Sequence, residues 1–242
     1  MLSKNQIKEI TALHHKKYRY KQNLFIAEGE KIIRDFLDSN IEIYHIFYTD
    51  DVLFADINNK NKTKVSFDEL NKISALSAPN NCLAIFKIPK CSNETFINKS
   101  ILVLDKVQDP GNLGTIIRTC DWFGVDLIVC SLDTVDVYNP KVVQASMGSL
   151  ARIKVFYTDL YEFLKDKQSF CFGTFLNGNS IYEQKIPNDA IVIMGNEANG
   201  ISAEIEKLIK NKILIPQKSN HFKTESLNVA IATAIILSEW KK

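Results

Sequence analysis

The chain has 242 residues, of which 45% are hydrophobic and 24% charged, and its 30 Lys+Arg against 28 Asp+Glu give a formal net charge of +2. This composition supplies a hydrophobic core and excludes a wholly disordered protein, while the length fits one large domain or two smaller ones. No apolar run reaches the roughly 18 residues that a membrane helix needs, and the N-terminus lacks the apolar segment of a signal peptide. We therefore expect a cytoplasmic protein without a membrane partner.

The five cysteines are odd in number and scattered, and no two of them are spaced as a CxxC pair. Several lie in apolar runs, which favours buried free thiols over disulfides or zinc ligands. The four histidines are scattered as well. The sequence therefore predicts no metal site.

The first elements form a small α/β unit. Ser3 and Gln6 have the spacing of a capping box, and apolar residues at positions 7, 10 and 13 continue with the period of a helix. Ser66 and Glu69 predict a second capped helix in the same way. A helix over 29–37 and strands over 41–48 and 82–88 complete the unit.

Positive charge is concentrated at the N-terminus, where residues 1–24 hold six basic residues against one acidic residue. Four of the six lie close together and alternate with two tyrosines; they are Lys16, Lys17, Arg19 and Lys21. Such a run is usually the solvated end of a helix. It could also contact RNA, with tyrosines stacking on unpaired bases while the cations meet phosphates.

A polar stretch beginning at Pro89 has no periodic apolar pattern. We therefore place a linker at residues 91–99, between a first domain at 1–90 and a second domain at 100–242. In the second domain short apolar strands alternate with helices. The predicted strands are 101–104, 127–130, 153–157, 170–175, 191–194 and 213–215, and the predicted helices are 112–123, 140–150, 159–166, 202–211 and 226–240.

This alternation predicts a mostly parallel sheet with helices on both faces. Ligands of such sheets bind at the carboxyl ends of the strands. The loops that follow the strands ending near residues 104, 175, 194 and 215 are therefore the candidate site.

The loop after residue 104 contains Asp109 and Pro110, which fit the cap and first position of a helix. They do not explain Asn112 and Arg118. Arg118 lies in an otherwise apolar helix, so we expect it to need an anionic partner or a cleft. The two glycines of this loop are too few for a dinucleotide fingerprint, and no Lys-Ser/Thr pair completes a phosphate-binding loop.

The loop after residue 194 reads Gly195-Asn-Glu197-Ala-Asn-Gly200. It could be a plain turn into a helix, or its glycines could let the backbone approach a ligand. The last loop runs from Ile215-Pro216 to Ser226-Leu227-Asn228 at the start of an apolar helix. Ser226 could simply cap this helix, whereas Asn228 in a dry first turn favours a binding role.

Together the three loops resemble the SpoU (TrmH) branch of the SPOUT RNA 2′-O-ribose methyltransferases. The pattern of that family is N-x-G-x-x-x-R, then G-x-E-x-x-G after a strand, then I-P and S-L-N-V, and all of it occurs here in order within residues 100–242. One departure is the segment 217–225, which is longer than usual. Arg19 and Phe25-Ile-Ala-Glu28-Gly29 resemble the small substrate-binding domain of many ribosomal-RNA members.

The resemblance implies S-adenosylmethionine as methyl donor, a deep trefoil knot and a homodimer through the catalytic domain. It also implies a cofactor site in the knot, made of Thr174, Leu176, Gly195, Asn196, Gly200, Ile215, Pro216 and Leu227. Adenine needs a flat apolar slot with a few backbone hydrogen bonds, which strand ends and glycine turns can supply.

By the same resemblance Asn112, Arg118, Glu197, Ser226 and Asn228 form the catalytic set. Arg118 is sometimes given the role of general base in this family, but a guanidinium stays protonated in proteins. We therefore expect it to clamp a phosphate and stabilise the developing alkoxide. Asn112 and Glu197 would orient Arg118, the ribose or the cofactor loop.

The expected partner is structured RNA, with ribosomal RNA favoured by the extra N-terminal domain. Two alternatives stay open: a transfer-RNA methyltransferase of the same family, and a non-catalytic RNA-binding or ribosome-assembly factor with the same fold. A nucleotide-cofactor oxidoreductase is disfavoured because the glycine fingerprint is incomplete.

Overall fold

The computed structural model describes residues 1–57, 61–90, 96–218 and 226–242. Cys91, most of the predicted linker and residues 219–225 of the long loop therefore lie outside the described residues. The chain divides into two compact units, Met1–Cys91 with Asp136–Arg152, and Ser92–Val135 with Ile153–Lys242. The sequence had placed Asp136–Arg152 in the second domain, whereas its contacts group it with the first unit.

The first unit contains a four-stranded sheet with the order β1-β4-β2-β3, in which β4 is antiparallel to β1 and β2. Its strands are β1 (Leu24–Glu28), β2 (Ile43–Tyr48), β3 (Lys62–Lys64) and β4 (Cys82–Lys87). Its helices are α1 (Lys4–Ala12), α2 (Lys16–Gln22), α3 (Glu30–Leu37), α4 (Phe67–Ile73) and α6 (Pro140–Ala145).

Local sequence accounts for the ends of two helices in this unit. The capping boxes predicted at Ser3 with Gln6 and at Ser66 with Glu69 are both formed. Sequence reasoning missed β1, whose five residues are all buried, because a strand buried on both faces shows no alternation. The predicted helix 140–150 is the short α6 followed by a 3-10 turn at Ser149–Ala151.

The second unit is built on a six-stranded sheet with the order β10-β8-β9-β5-β6-β7, and every pair in it is parallel. This confirms the predicted parallel sheet. Its strands are β5 (Ile101–Leu104), β6 (Leu127–Ser131), β7 (Lys154–Thr158), β8 (Cys171–Ser180), β9 (Ile191–Met194) and β10 (Asn211–Leu214). Its helices are α5 (Pro110–Phe123), α7 (Leu160–Leu164), α8 (Ala203–Glu206) and α9 (Val229–Trp240).

The strand order brings two candidate loops together. β5 and β9 are neighbours, and their last residues, Leu104 and Met194, lie in register. The chain winds from β5 through β6 to β7 on one side and places β8, β9 and β10 on the other. The loops after β5 and β9 therefore start side by side at the point where the winding changes direction, which is where open parallel sheets bind ligands.

β8 is longer than predicted and does not pair evenly with β10. Gly173 is opposite Lys212, but the next β10 residue, Ile213, is opposite Asn179. Residues 174–178 of β8 therefore bulge out of the ladder at the carboxyl edge. Within the described ranges, no helix is long and apolar enough to span a membrane.

Candidate active site at the carboxyl edge of the parallel sheet

Three polar side chains from the three motifs meet at the carboxyl edge of the second unit. Asn112 Nδ2 donates to Glu197 Oε1 over 3.0 Å, and Asn228 Nδ2 donates to Asn112 Oδ1 over 2.9 Å. Asn112 is 85 positions from Glu197 and 116 positions from Asn228 in the chain. The amide of Asn112 is thus bonded at both ends, which fixes its orientation. We call Asn112, Glu197 and Asn228 the polar triad.

The ends of two helices position the triad. Asp109 caps α5 by accepting from the backbone N–H of Asn112 at 2.7 Å, and Pro110 occupies the first turn, as predicted. Asn228 caps α9, since its Oδ1 accepts from the N–H groups of Ala230 and Ile231. The cap of α9 is therefore Asn228 rather than Ser226. Asn228 is exposed and not in a dry place, so the expectation of a buried amide was wrong.

The glycines of the loop after β9 are needed by the loop itself. Asn196 and Gly200 exchange backbone hydrogen bonds of 2.9 and 3.0 Å, and Gly200 has a φ of +67°. A Cβ on Gly195 would lie 2.2 Å from the carbonyl carbon of Gly200, which no side chain could tolerate. The same turn exposes Glu197 towards Asn112. Glycine here makes a tight turn that presents a carboxylate.

Arg118 is exposed on α5, and no carboxylate among the described residues forms an ion pair with it. The sequence predicts that Arg118 needs an anionic partner or a cleft, and the described part of the protein supplies no anionic partner for it. The reason is the helical period: Ile116 and Ile117 are buried, while Arg118 and Trp122 lie on the opposite, open face. The structure does not bring Arg118 into hydrogen bonding with Asn112 or Glu197.

The predicted cofactor residues lie at the same edge, in the bulge of β8, in the loops after β9 and β10, and just before α9. Thr174 Oγ1 donates to the carbonyl oxygen of Ile193 over 3.2 Å, next to the end of β9. Leu176, in the bulge of β8, is 83% exposed, and Leu227, just before α9, is also exposed. Ile215 and Pro216 after β10 are half-buried. Large apolar side chains are thus open to solvent beside backbone turns. Ser226 is exposed and forms no hydrogen bond with another described residue.

Of the predicted RNA-binding residues, Lys16, Lys17 and Lys21 are exposed on α2, but Arg19 is only 1% exposed. The guanidinium of Arg19 forms an ion pair with Asp136 and donates to the carbonyl oxygens of Leu13 and His14. Its donors are therefore occupied within the first unit, and the prediction that Arg19 contacts RNA was wrong.

Sequence reasoning missed two residues that hold the site together. Asp105, buried just after β5, accepts from the backbone N–H of Ser202 over 2.7 Å. The carbonyl oxygen of Lys106 accepts from Asn196 Nδ2, also over 2.7 Å. Both bonds tie the loop after β5 to the loop after β9. The available signal was position alone, because the two residues are the first and second after a predicted strand.

The described cysteines take no part in the site. Cys82, Cys120, Cys130 and Cys171 are all free and buried, as predicted for those lying in apolar runs. Burial raises the pKa of the Cys171 thiol to about 11, so it stays protonated at neutral pH. In the part of the chain that the structure describes, no group of three or more His, Cys, Asp or Glu is placed to hold a metal ion.

Comparison with known proteins gives two domain matches. The model of the SpoU rRNA methylase family matches residues 99–238, and the model of the MRM3-like substrate binding domain matches residues 4–84. A Bacillus subtilis protein described as 23S rRNA (guanosine(2553)-2'-O)-methyltransferase RlmP is 32% identical over 243 residues, which cover 97% of this chain and 96% of that protein.

Two solved structures are similar along nearly the whole chain. A putative RNA methyltransferase of the TrmH family from Porphyromonas gingivalis has a TM-score of 0.88 and 38% identity, covering 100% of this chain and 98% of that one. An AdoMet-bound rRNA methyltransferase from Sinorhizobium meliloti has a TM-score of 0.87 and 29% identity, covering 99% and 95%.

Proposed function

The chain belongs to the SpoU rRNA methylase family, and from this membership we propose that it transfers a methyl group from S-adenosylmethionine to a ribose 2′-hydroxyl of ribosomal RNA. The observation that carries the proposal is the polar triad, since the structure joins side chains from all three motifs at one edge of the sheet. The 23S rRNA named for the Bacillus relative supports ribosomal RNA as the substrate.

Methyl transfer requires the protein to position the target ribose and to stabilise negative charge that develops on its oxygen. The cofactor would supply an electrophilic methyl group and leave as the neutral thioether, and the 2′-hydroxyl would pass its proton to solvent water as its oxygen bonds to that methyl carbon. A permanently charged guanidinium at Arg118 can bind the neighbouring phosphate in a bidentate manner and stabilise negative charge on the oxygen. Its exposure and lack of a carboxylate partner among the described residues leave its donors available for RNA.

The triad residues have distinct roles in this proposal. Asn112 is locked between Glu197 and Asn228, so it acts as a positioning residue that keeps the carboxylate of Glu197 facing the site. Ser226 and Asn228 complete the polar rim at the start of α9. Ser226, exposed and without a described hydrogen bond, is available to a substrate hydroxyl.

We propose that the cofactor lies at the same edge, in the trefoil knot characteristic of this family. The residues present fit its chemistry. Leu176 and Leu227 offer exposed apolar surface for adenine, while the turn from Gly195 to Gly200 and the strand end at Ile215-Pro216 offer backbone groups. The AdoMet-bound structure from Sinorhizobium meliloti supports this assignment.

The N-terminal unit is proposed to bind the RNA substrate. Lys16, Lys17 and Lys21 present three exposed cations on α2, and the exposed Tyr18 lies among them. Cations next to an aromatic ring suit the phosphates and unstacked bases of structured RNA. The two family matches leave residues 85–98 between them, which supports a linker near 91–99. Ribosomal RNA as substrate also fits a cytoplasmic location.

We propose that the second unit forms a homodimer through α5 and α9. These helices pack against each other, and their outer surfaces leave Trp122 at 85% and Ile231 at 56% exposure. An exposed tryptophan beside other apolar residues is typical of an interface core. Trp122 lies one helical turn after Arg118, so a second copy there would enclose Arg118. Sedimentation equilibrium should give twice the 27.5 kDa of one chain, and a Trp122→Glu variant should give the mass of one.

Methyl transfer to defined RNAs tests the function. The purified protein is incubated with methyl-labelled S-adenosylmethionine and with 23S rRNA, 16S rRNA or transfer RNA, and the labelled nucleosides are identified after digestion. We expect a 2′-O-methylated nucleoside from ribosomal RNA only. Label in transfer RNA would favour the transfer-RNA alternative. RNA binding without transfer, and without calorimetric binding of S-adenosylmethionine, would favour the assembly factor.

A further inference from the structure

Lys106 occupies a backbone conformation that its residue type does not favour. It directly follows Asp105 at the carboxyl end of β5 and has a φ of +60°. Left-handed backbone is adopted easily by glycine and with local help by asparagine, but a long side chain with a Cβ is strained there. Strained residues of this kind cluster at functional sites, where the surrounding structure holds them in place.

Hydrogen bonds fix this conformation from both sides. The backbone N–H of Lys106 donates to Ser131 Oγ over 2.9 Å, and its carbonyl oxygen accepts from Asn196 Nδ2 over 2.7 Å. Ser131 Oγ is in turn 3.0 Å from Thr134 Oγ1, which donates to the carbonyl oxygen of Leu104. Lys106 is therefore bound to elements on both flanks of β5, and its backbone has no freedom to relax.

The same bonds place Lys106 beside the polar triad. Asn196 Nδ2, which donates to Lys106, lies 3.4 Å from Glu197 Oε2, and Glu197 accepts from Asn112. One amide group thus separates the backbone of Lys106 from the triad carboxylate. A lysine side chain is flexible and four carbons long, so its ammonium can reach a ligand bound at this edge.

The ammonium of Lys106 has no described protein partner. The residue is exposed, and no carboxylate or carbonyl oxygen within the described ranges bonds to Nζ. A backbone that would be more relaxed with glycine carries a lysine whose charge the described protein does not use. The side chain, rather than the backbone, is therefore what this residue type adds to the site.

Resting on the function proposed above, we propose that Lys106 binds a phosphate of the RNA strand that carries the target ribose. A lysine ammonium acts on phosphate as a compact point charge, without the bidentate geometry of Arg118. The two cations then have different roles. Arg118 acts at the reacting group, and Lys106 binds a neighbouring phosphate of the same RNA strand.

Two substitutions separate charge from backbone. Lys106→Gly removes the charge and relieves the backbone strain. Lys106→Met also removes the charge, but it retains the strain. We expect both variants to raise the KM for RNA by roughly tenfold and to lower the slope of log Kd against log salt by about 0.7–0.9, as expected for one lost phosphate contact. Lys106→Gly alone should raise the Tm. Lys106→Arg should retain most of the RNA affinity.

The matched control is Lys210→Met. Lys210 is also exposed, but it precedes β10 and so lies at the amino edge of the same sheet, and its replacement should leave the KM for RNA and the salt slope unchanged. Calorimetry should show wild-type affinity for S-adenosylmethionine in every variant.

Three results would overturn the proposal: a wild-type salt slope in Lys106→Gly, a loss in only one of the two uncharged variants, or a parallel loss of cofactor affinity. Failure of the proposed function has a separate signature, because wild-type protein would then transfer no methyl group while the salt slopes still report on Lys106.

Discussion

Two arginines in the two units have opposite surroundings. Arg19 follows a run of lysines and is nevertheless buried, with its guanidinium bonded to Asp136 and to two carbonyl oxygens. Arg118 lies in an apolar helix and is nevertheless exposed, with no ion pair to a described residue. The hydrogen bonds of Arg19 stabilise the fold of the first unit, whereas the donors of Arg118 are left available for the ligand proposed above. The state of the donors, more than the neighbouring sequence, distinguishes a structural cation from a functional one.

The network around Arg19 is part of the stability of the first unit. Asp136 accepts from Arg19, from the hydroxyl of Tyr20 and from the backbone N–H of Tyr138. It thereby binds α2 to the segment Asp136–Arg152, which is distant in sequence. Burial, and next the Asp136 carboxylate, raise the pKa of Tyr20, so its hydroxyl stays a donor at all ordinary pH values.

The largest effect on stability is expected from Arg19→Met. Removing the guanidinium leaves the buried carboxylate of Asp136 without its cation, which costs about 3–5 kcal/mol of unfolding free energy. Urea unfolding followed by circular dichroism measures it. Lys17→Met on the same helix is the control, with a change within about 0.5 kcal/mol because Lys17 is exposed. Equal midpoints for the two variants would contradict the structural role of Arg19.

Arg118→Ala should show the reverse pattern, a loss of activity without a loss of stability. Removing a donor that stabilises charge in a transition state typically lowers kcat by about 10²–10³. The unfolding midpoint should stay that of wild type because the side chain is exposed. Single-turnover transfer to ribosomal RNA measures the activity, and calorimetry should show unchanged binding of S-adenosylmethionine.

Arg118→Lys serves as the charge-conserving control. It keeps the cation but loses the planar fork, so its activity should lie between those of wild type and Arg118→Ala. Turnover of Arg118→Ala comparable to wild type would remove Arg118 from the mechanism.

How far these contrasts could be predicted from the sequence depends on how far apart the interacting residues lie in the chain. The parallel sheet was predictable, because apolar β-branched runs such as Ile101–Leu104 mark buried strands locally. The partner of Arg19 was not, because Asp136 is 117 positions away and nothing in its own surroundings marks it. The polar triad lies between these cases: the carboxyl-edge rule predicted the location, and the resemblance to a known family predicted its members.

Smaller effects are expected for the exposed lysines of α2. Replacing Lys16, Lys17 and Lys21 together with glutamine should weaken RNA binding and lower its log–log salt slope by about 2–3, at about 0.7–0.9 per lost phosphate contact. Filter binding at several salt concentrations measures this slope. A control with the same change in charge replaces Lys31, Lys72 and Lys90, which are also exposed in the first unit. Identical slopes for the two triple variants would show that the RNA does not contact α2.

The smallest effect is expected at Glu28, a buried carboxylate that, unlike Asp136, has neutral partners. It accepts from the hydroxyl of Ser74 and from the backbone N–H of Ala75. Burial raises the pKa of Glu28 above its ordinary value, and these two hydrogen bonds offset the rise only in part. The native state therefore favours the protonated form, and the stability that this preference contributes is lost as pH rises through the folded pKa.

The stability of Glu28→Gln relative to wild type should accordingly increase as pH rises. The amide can still bond to both groups without the cost of a buried charge, because its oxygen can accept from the Ala75 N–H while its NH2 donates to Ser74 Oγ. The difference should therefore stay under about 1 kcal/mol. Thermal unfolding between pH 4 and pH 8 measures it, with exposed Glu9→Gln as a control that should show no such trend. If Glu28→Gln instead became less stable than wild type towards pH 8, the ionised carboxylate would be shown to stabilise the fold. Glu28, although its partners are neutral, would then resemble Arg19 and Asp136 in stabilising the fold in its charged form.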